Sequence, residues 1–364
     1  MTSREAISGC DGSGDPFLDL IRLTPSAAIA EADAAESVRA AFGLSGALER
    51  LPGEADHNFL LKTSAGRRYV VKFAHLRVDP RVVSVQTQVL RHLESSAPEL
   101  PVPHIVPTVN GKPWAMVGNG PLRGRIVHVT TYLDGQLLSS VRTSPALLHR
   151  LGVTLASLGR TLREFGDAVV RRPLLWDIAE MPRLRPLIAE LPRSAGTSLL
   201  NEQLGRFITR VAPRLAAQRT QLVHNDFSPD NVLISADLSR VCGIIDFGDI
   251  TVTALVNDIA IAAGYQLSDQ ADLLGPAVDM IGGYHATTPL AASEVDLLPE
   301  LILARVVARI VISEWRAARF PENRGYIMRN TARAWEHLNR LLDIPTYEVA
   351  ARIRSACRPE ATDA

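Results

Sequence analysis

The chain has 364 residues, 46% hydrophobic and 21% charged, with 39 basic residues balanced by 39 acidic ones. That composition excludes long disorder, and a formal net charge of zero gives no broad positive field for nucleic acid or an anionic membrane. Cys10, Cys242 and Cys357 lie far apart without a Cys-x-x-Cys pair, which argues against a disulfide framework or a structural zinc and for a reducing cytoplasm.

Asp11, Gly12, Gly14 and Asp15 break up the start of the chain, so no signal-peptide core is expected, and no apolar stretch reaches the ~18 residues of a membrane span. Residues 1–24 read as a poorly ordered leader. Over residues 25–43, Ala28, Ile29, Ala32, Ala35, Val38, Ala41 and Phe42 recur at three and four, predicting an amphipathic helix closed by Gly43. It opens a first unit, residues 25–131. Residues 48–51, 59–63 and 69–73 read as strands, the last two joined by a hairpin loop through Gly66. Between the first two strands the connection holds a single glycine, Gly53. Lys72 is the one cation inside the third strand, its neighbours pointing to the opposite face.

A helix over residues 80–93 comes next; it has no acid between Asp79 and Glu94 and presents Gln86 on the side of Val82, Val83, Val89 and Leu90. Residues 113–117 and 125–131 read as two further strands. The glycines between them, Gly118, Gly120 and Gly124, suggest a dinucleotide loop, but Pro121 interrupts it and a strand follows, so a hairpin loop is predicted. The second unit, residues 132–364, opens at Tyr132-Leu133-Asp134-Gly135. Its long helix carries Leu148, Leu151, Leu155, Leu158, Leu162 and Phe165. Residues 174–218 read as helical and charged on one side. Apolar helices over residues 258–265 and 297–315 follow, the second interrupted by Arg305, Arg309 and Glu314, which need partners from each other or from a ligand.

The chemistry lies in Val223-His224-Asn225-Asp226-Phe227-Ser228-Pro229-Asp230-Asn231 and, further on, Asp246-Phe247-Gly248-Asp249. Short apolar runs flank both stretches, so Asp226 and Asp246 fall at strand ends beside one cleft. Phosphoryl transfer to a hydroxyl needs a carboxylate to accept the proton, here Asp226, and hard oxygens to hold Mg²⁺ against nucleotide phosphates, here Asn231 and Asp246. Ordinary turns use the same residue types, but a turn requires neither the His-x-Asp order nor the gap to Asn231. His224 reads as a brace for the loop; the other histidines show no ligand spacing.

This stretch resembles the catalytic loop of the aminoglycoside phosphotransferase and choline kinase superfamily, and Leu51-Pro52-Gly53-Glu54-Ala55-Asp56-His57-Asn58-Phe59 and Asn257-Asp258-Ile259-Ala260 add a likeness to hydroxylysine kinases and their bacterial homologues. The resemblance runs from about residue 48 to about 342. It implies an α+β, bilobal, protein-kinase-like fold, with a small antiparallel-sheet nucleotide lobe and a larger helical catalytic lobe. It also implies Lys72 and Asn58 on the nucleotide phosphates, Tyr132 and Leu133 at the purine edge, and Mg²⁺ with GTP or ATP as donor. The expected acceptor is a small amine-bearing alcohol, 5-hydroxylysine first, with aminoglycosides, homoserine, choline and ethanolamine as alternatives.

One departure stands out, since the helix that should give Lys72 a glutamate offers only Gln86. Gln86 itself or a carboxylate such as Glu54 is expected to take over, and a catalytically silent nucleotide binder is the competing reading. For the acceptor, Arg305 is the candidate for a carboxylate and Asp249 for an ammonium group, with an internal ion pair of Arg305, for example to Glu314, as the alternative.

Overall fold

The computed structural model describes residues 28–53, 56–166 and 173–358. Helix α1 (Glu31–Phe42) buries Ala34, Val38 and Phe42 at steps of four. It ends where Gly43 takes φ +67° and returns its N–H to the Arg39 carbonyl, a left-handed closure that a Cβ would strain. The helix is shorter than residues 25–43 because Ala30 is already extended. The leader, residues 1–24, lies outside the described residues.

Strands β1 (Ala47–Leu51), β2 (His57–Lys62) and β3 (Arg68–Phe73) form an antiparallel meander. Helix α2 (Pro80–Ser96) follows, started by Pro80 and by the Asp79 carboxylate accepting the Arg81 N–H. After β4 (Ile105–Val106) and β5 (Ala115–Met116), β6 (Ile126–Thr131) completes a sheet of order β1-β2-β3-β6-β4, with β5 also on β6. The glycine-bearing segment 118–124 is the connection between β5 and β6, as its sequence suggested. One face of the sheet, through Phe59, Leu61, Val71, Phe73, Val127 and Val129, packs on α1. Helix α2 bridges: Val83 meets Ala74 and Ile126 beside the sheet, while Val85, Val89, Leu90 and Leu93 join the core of the second unit.

That second core gathers around α3 (Pro145–Arg163), whose Leu147, Leu148, Leu151, Leu155, Leu158 and Leu162 are all buried. Before it, β7 (Gln136–Leu137) pairs with β9 (Val232–Ile234), which pairs with β10 (Val241–Ile244). A second ladder joins β8 (Thr220–Val223) to β11 (Thr251–Ala254). Helices α4 (Leu255–Tyr265), α5 (Gly275–Thr287), α6 (Leu298–Arg319) and α7 (Thr331–Asp343) complete the elements that matter for the site. The result is an α+β molecule with an antiparallel-sheet unit beside a larger, mostly helical one. Among the described residues no helix is long and apolar enough to cross a membrane.

Candidate active site

The loop from β8 to β9 is shaped by one residue in the left-handed region and one buried carboxylate. Asn225, fully buried, takes φ +64°, which a short amide side chain tolerates, and gives its N–H to Asp258 Oδ1 at 2.8 Å. Asp258 stands in the first turn of α4, 1% exposed, and burial pushes its pKa up to about 7. His224 packs edge-on against Phe227 and Phe247, and its Nδ1 accepts the Asp226 N–H at 3.3 Å. Burial lowers its pKa to about 4, so the ring is neutral near pH 7 and holds the backbone of the loop.

Asp226 emerges from that loop with its side chain 23% exposed. Asn231 Nδ2 donates to Asp226 Oδ2 at 2.7 Å and to the Asp226 carbonyl at 3.0 Å. On the other oxygen, Oδ1, the Tyr265 hydroxyl and Arg305 both stand at 3.4 Å. Burial raises the Asp226 pKa, with Asp249 and Asp246 adding to the rise and Arg305 opposing it, to about 7. At the end of β10, Asp246 takes φ +59° and accepts the Gly248 N–H on Oδ1 at 3.1 Å.

Lys72 reaches across from β3 and stands 3.2 Å from Asp246 and 3.2 Å from Asp56. Burial works against its charge, but the two carboxylates override that and raise the lysine pKa; Lys72 in turn draws the Asp246 pKa below the usual carboxylate range. Gln86, expected beside Lys72, instead approaches the Gly248 carbonyl at 3.4 Å, and Glu54 lies outside the described residues. The carboxylate that meets the lysine is therefore Asp56, whose Oδ1 is fixed by the His75 N–H at 2.8 Å.

The connection between β1 and β2 is tight. A Cβ on Gly53 would stand 2.6 Å from the Asp56 carbonyl and 2.8 Å from Asn58 Nδ2, so the loop needs a glycine there. Asn58 is opposite Lys72 in the β2–β3 register and donates to the Pro52 carbonyl at 2.9 Å, bracing this loop with its side chain. At the start of the second unit, the Tyr132 N–H is taken by the Arg68 carbonyl at 3.2 Å, and the Arg68 guanidinium lies 4.7 Å from the centre of the Tyr132 ring. Leu133, next in the chain, is half-buried.

Arg305 is completely buried. Its Nη1 donates to the Trp176 carbonyl at 2.6 Å and its Nη2 to the Tyr265 hydroxyl at 2.8 Å, with Asp226 beyond, and it packs between the Trp176 and Tyr265 rings. The internal partner is thus Asp226 and not Glu314, which accepts from Trp335 Nε1 at 3.0 Å. Asp177 secures the neighbouring backbone by accepting from the Ala179 N–H, Thr253 Oγ1 and Asn257 Nδ2. Asp249 is half-buried, and its charge helps raise the Asp226 pKa.

Among the described residues no group of three or more His, Cys, Asp or Glu side chains could hold a metal by itself. Mg²⁺ needs no such cage, because it keeps several waters and takes one or two protein oxygens plus substrate phosphates. The residues fit that demand: Asn231 commits its Nδ2 to Asp226, which leaves Oδ1 outside both bonds, and Asp246 is half-exposed.

Residues 47–295 match the phosphotransferase enzyme family, APH. The chain belongs to that family. The phosphotransferase is 24% identical over 339 residues to a hydroxylysine kinase of Mus musculus, covering 86% of this chain and 89% of that one. It is 28% identical over 269 residues to a homoserine kinase of Paramagnetospirillum magneticum, covering 70% and 76%. Among solved structures, it superposes on an amicoumacin kinase in complex with AMP-PNP, Ca²⁺ and Ami with a TM-score of 0.65 at 15% identity, over 89% of this chain and 94% of that one. Its fold is the two-lobed, protein-kinase-like fold of these small-molecule kinases.

Four residues of the phosphotransferase site carry no role in the sequence reading: Asp56, Trp176, Asp258 and Tyr265. Asp258 had a signal, an acid inside the apolar run Leu255-Val256-Asn257-Asp258-Ile259-Ala260-Ile261, where a buried charge needs a donor. Asp56 sits within the segment that carried the family likeness, but nothing in its spacing pairs it with Lys72.

Proposed function

We propose that the protein transfers the γ-phosphoryl group of GTP or ATP to the hydroxyl of a small hydroxylated amino acid, 5-hydroxylysine first and homoserine second. The observation that carries this reading is the convergence of Asp226 and Asn231 from one loop, Asp246 from the end of β10 and Lys72 from β3 on one cleft. In this reading Asp226 accepts the hydroxyl proton, and a pKa near the working pH suits that task. Asn231 and Asp246 would hold Mg²⁺, which would neutralise charge on the donor phosphates. Lys72 passes from its carboxylates to the phosphates, with Asn58 and the Gly53 loop over them. Leu133 and Tyr132 meet the purine, through the backbone of Leu133 because the Tyr132 N–H is already engaged.

On the acceptor side Asp249 receives an ammonium group. Arg305 acts through Asp226, since both of its terminal nitrogens are committed. A silent binder is less well supported than an enzyme, because the missing helix glutamate is made good by Asp56. Both curated relatives named above are kinases of hydroxylated amino acids, which favours that acceptor class over aminoglycosides and choline.

The test is nucleotide consumption by the purified protein with Mg²⁺, ATP and GTP in parallel, across hydroxylysine, homoserine, choline, ethanolamine and an aminoglycoside. Preferred turnover of a hydroxylated amino acid supports the proposal, and preferred turnover of choline or an aminoglycoside removes it.

A further inference from the structure

Helix α6 carries a second arginine one turn after Arg305, and its situation is the reverse of its neighbour's. Arg309 is half-buried, with its guanidinium 4.7 Å from the centre of the Tyr265 ring. Arg305 lies 5.2 Å from the centre of the same ring, and the hydroxyl of that ring is 3.4 Å from Asp226. Arg309 and Asp226 thus meet one tyrosine side chain, the first over its ring and the second at its hydroxyl.

Among the described residues Arg309 makes no hydrogen bond and no ion pair. The acids of the surrounding helices are engaged elsewhere: Asp226 by Arg305, Tyr265 and Asn231, Asp269 by Arg333 and His337, Glu300 by Arg206, and Glu314 by Trp335. Arg305 and Arg333 add like charge nearby, and burial lowers the pKa of Arg309 further. A guanidinium partly withdrawn from water among like charges has lost hydration without gaining an anion, a costly arrangement unless an anion arrives. A planar fork of donors over an aromatic ring is suited to a carboxylate, which it binds bidentately.

We infer that Arg309 is the carboxylate-binding residue of the acceptor site, gripping the α-carboxylate of a hydroxylated amino acid while the acceptor's hydroxyl lies against Asp226. The inference rests on the proposed acceptor class. It moves the carboxylate from Arg305, whose terminal nitrogens are occupied, to the arginine that makes no such bonds.

The experiment compares hydroxylysine with its decarboxylated counterpart, 1,5-diamino-2-pentanol, in the wild type, Arg309→Met and Arg309→Lys. Methionine fills the place of the side-chain stem, and lysine keeps the charge without the fork, so a folded variant remains if one of them fails. The wild type should prefer hydroxylysine. Arg309→Met should lower kcat/KM for hydroxylysine roughly 10- to 100-fold, mainly through KM, with little change for the diamino alcohol or in the KM for nucleotide. Arg309→Lys should lie between. Equal losses for both acceptors, or a loss confined to kcat, would overturn the assignment. Calorimetric binding of L-lysine, which has the carboxylate but no hydroxyl, separates this inference from the broader reading. Binding by the wild type that Arg309→Met abolishes supports the residue assignment without turnover, and binding unaffected by the variant overturns it. Wild-type preference for acceptors without a carboxylate overturns the acceptor class instead.

Discussion

The donor and acceptor sides of the cleft hold their cations in opposite ways. Lys72 rests between Asp56 and Asp246 with side-chain exposures of 19%, 24% and 51%, so water reaches every member of the set. Arg305 has none, and it is fixed by a carbonyl, a phenol and the Asp226 carboxylate, between two aromatic rings. Ion pairs within reach of water exchange partners at small cost, whereas breaking a buried one strands a charge. In the proposed reaction the lysine would therefore pass from carboxylates to phosphates at small cost. The arginine is a fixture that keeps Asp226 in place.

The largest break in this comparison comes from Asp226→Asn, which removes the group that both sides share. Turnover should fall by ~100- to 10,000-fold while nucleotide affinity stays within a few-fold, because size and hydrogen bonding are kept. Steady-state kinetics with calorimetric nucleotide binding checks it, and near-normal turnover would remove Asp226 as the base.

Asp246→Ala should damage the donor side specifically, weakening nucleotide binding with Mg²⁺ by roughly tenfold or more and lowering turnover with it. Titration with and without Mg²⁺ reads this out. Equal affinity in variant and wild type with Mg²⁺ present would end the metal-binding role.

A smaller effect sharpens the contrast. Asp56→Asn should raise the KM for nucleotide about three- to tenfold with the acceptor KM unchanged, since Lys72 keeps Asp246 but loses the partner that aims it. Gln86→Ala, at a residue whose side chain donates to the Gly248 carbonyl at 3.4 Å, should do less. If the two changes ranked the other way, the amide and not Asp56 would orient the lysine.

The least effect on chemistry, and a distinct one on stability, is expected at Asp258. Its folded pKa of about 7 lies above the ordinary 3.8, so between those values the folded chain keeps a proton that the unfolded chain has lost. Its contribution to stability is full below about pH 4 and is lost as the pH rises to 7. Asp258→Asn keeps an acceptor oxygen for the Asn225 N–H and removes the titration, so the stability of the variant relative to wild type should rise from pH 5 to pH 8. Urea unfolding at the two pH values measures the difference, and parallel curves would show that Asp258 does not titrate as described.

The places of Asp226, Asn231, Asp246 and Lys72 on strand ends, a loop and a strand could be read from the chain because short-range geometry sets them. A strand end, the short loop from β8 to β9 and a hairpin are specified within about twenty residues, and the alternation of β3 decides which way Lys72 points. The two lobes were legible for the same reason, since α1, the strands and α3 each declare their period locally. The partners of those residues were decided only when distant elements docked. Lys72 and Asp246 are 174 residues apart, Arg305 and Trp176 129. Sequence showed that Arg305 and Arg309 interrupt an apolar helix and so need anions or ligands. Which of them is satisfied depends on where Trp176 and Tyr265 pack, because a side chain's partner is chosen by the tertiary approach of elements that the local pattern does not encode.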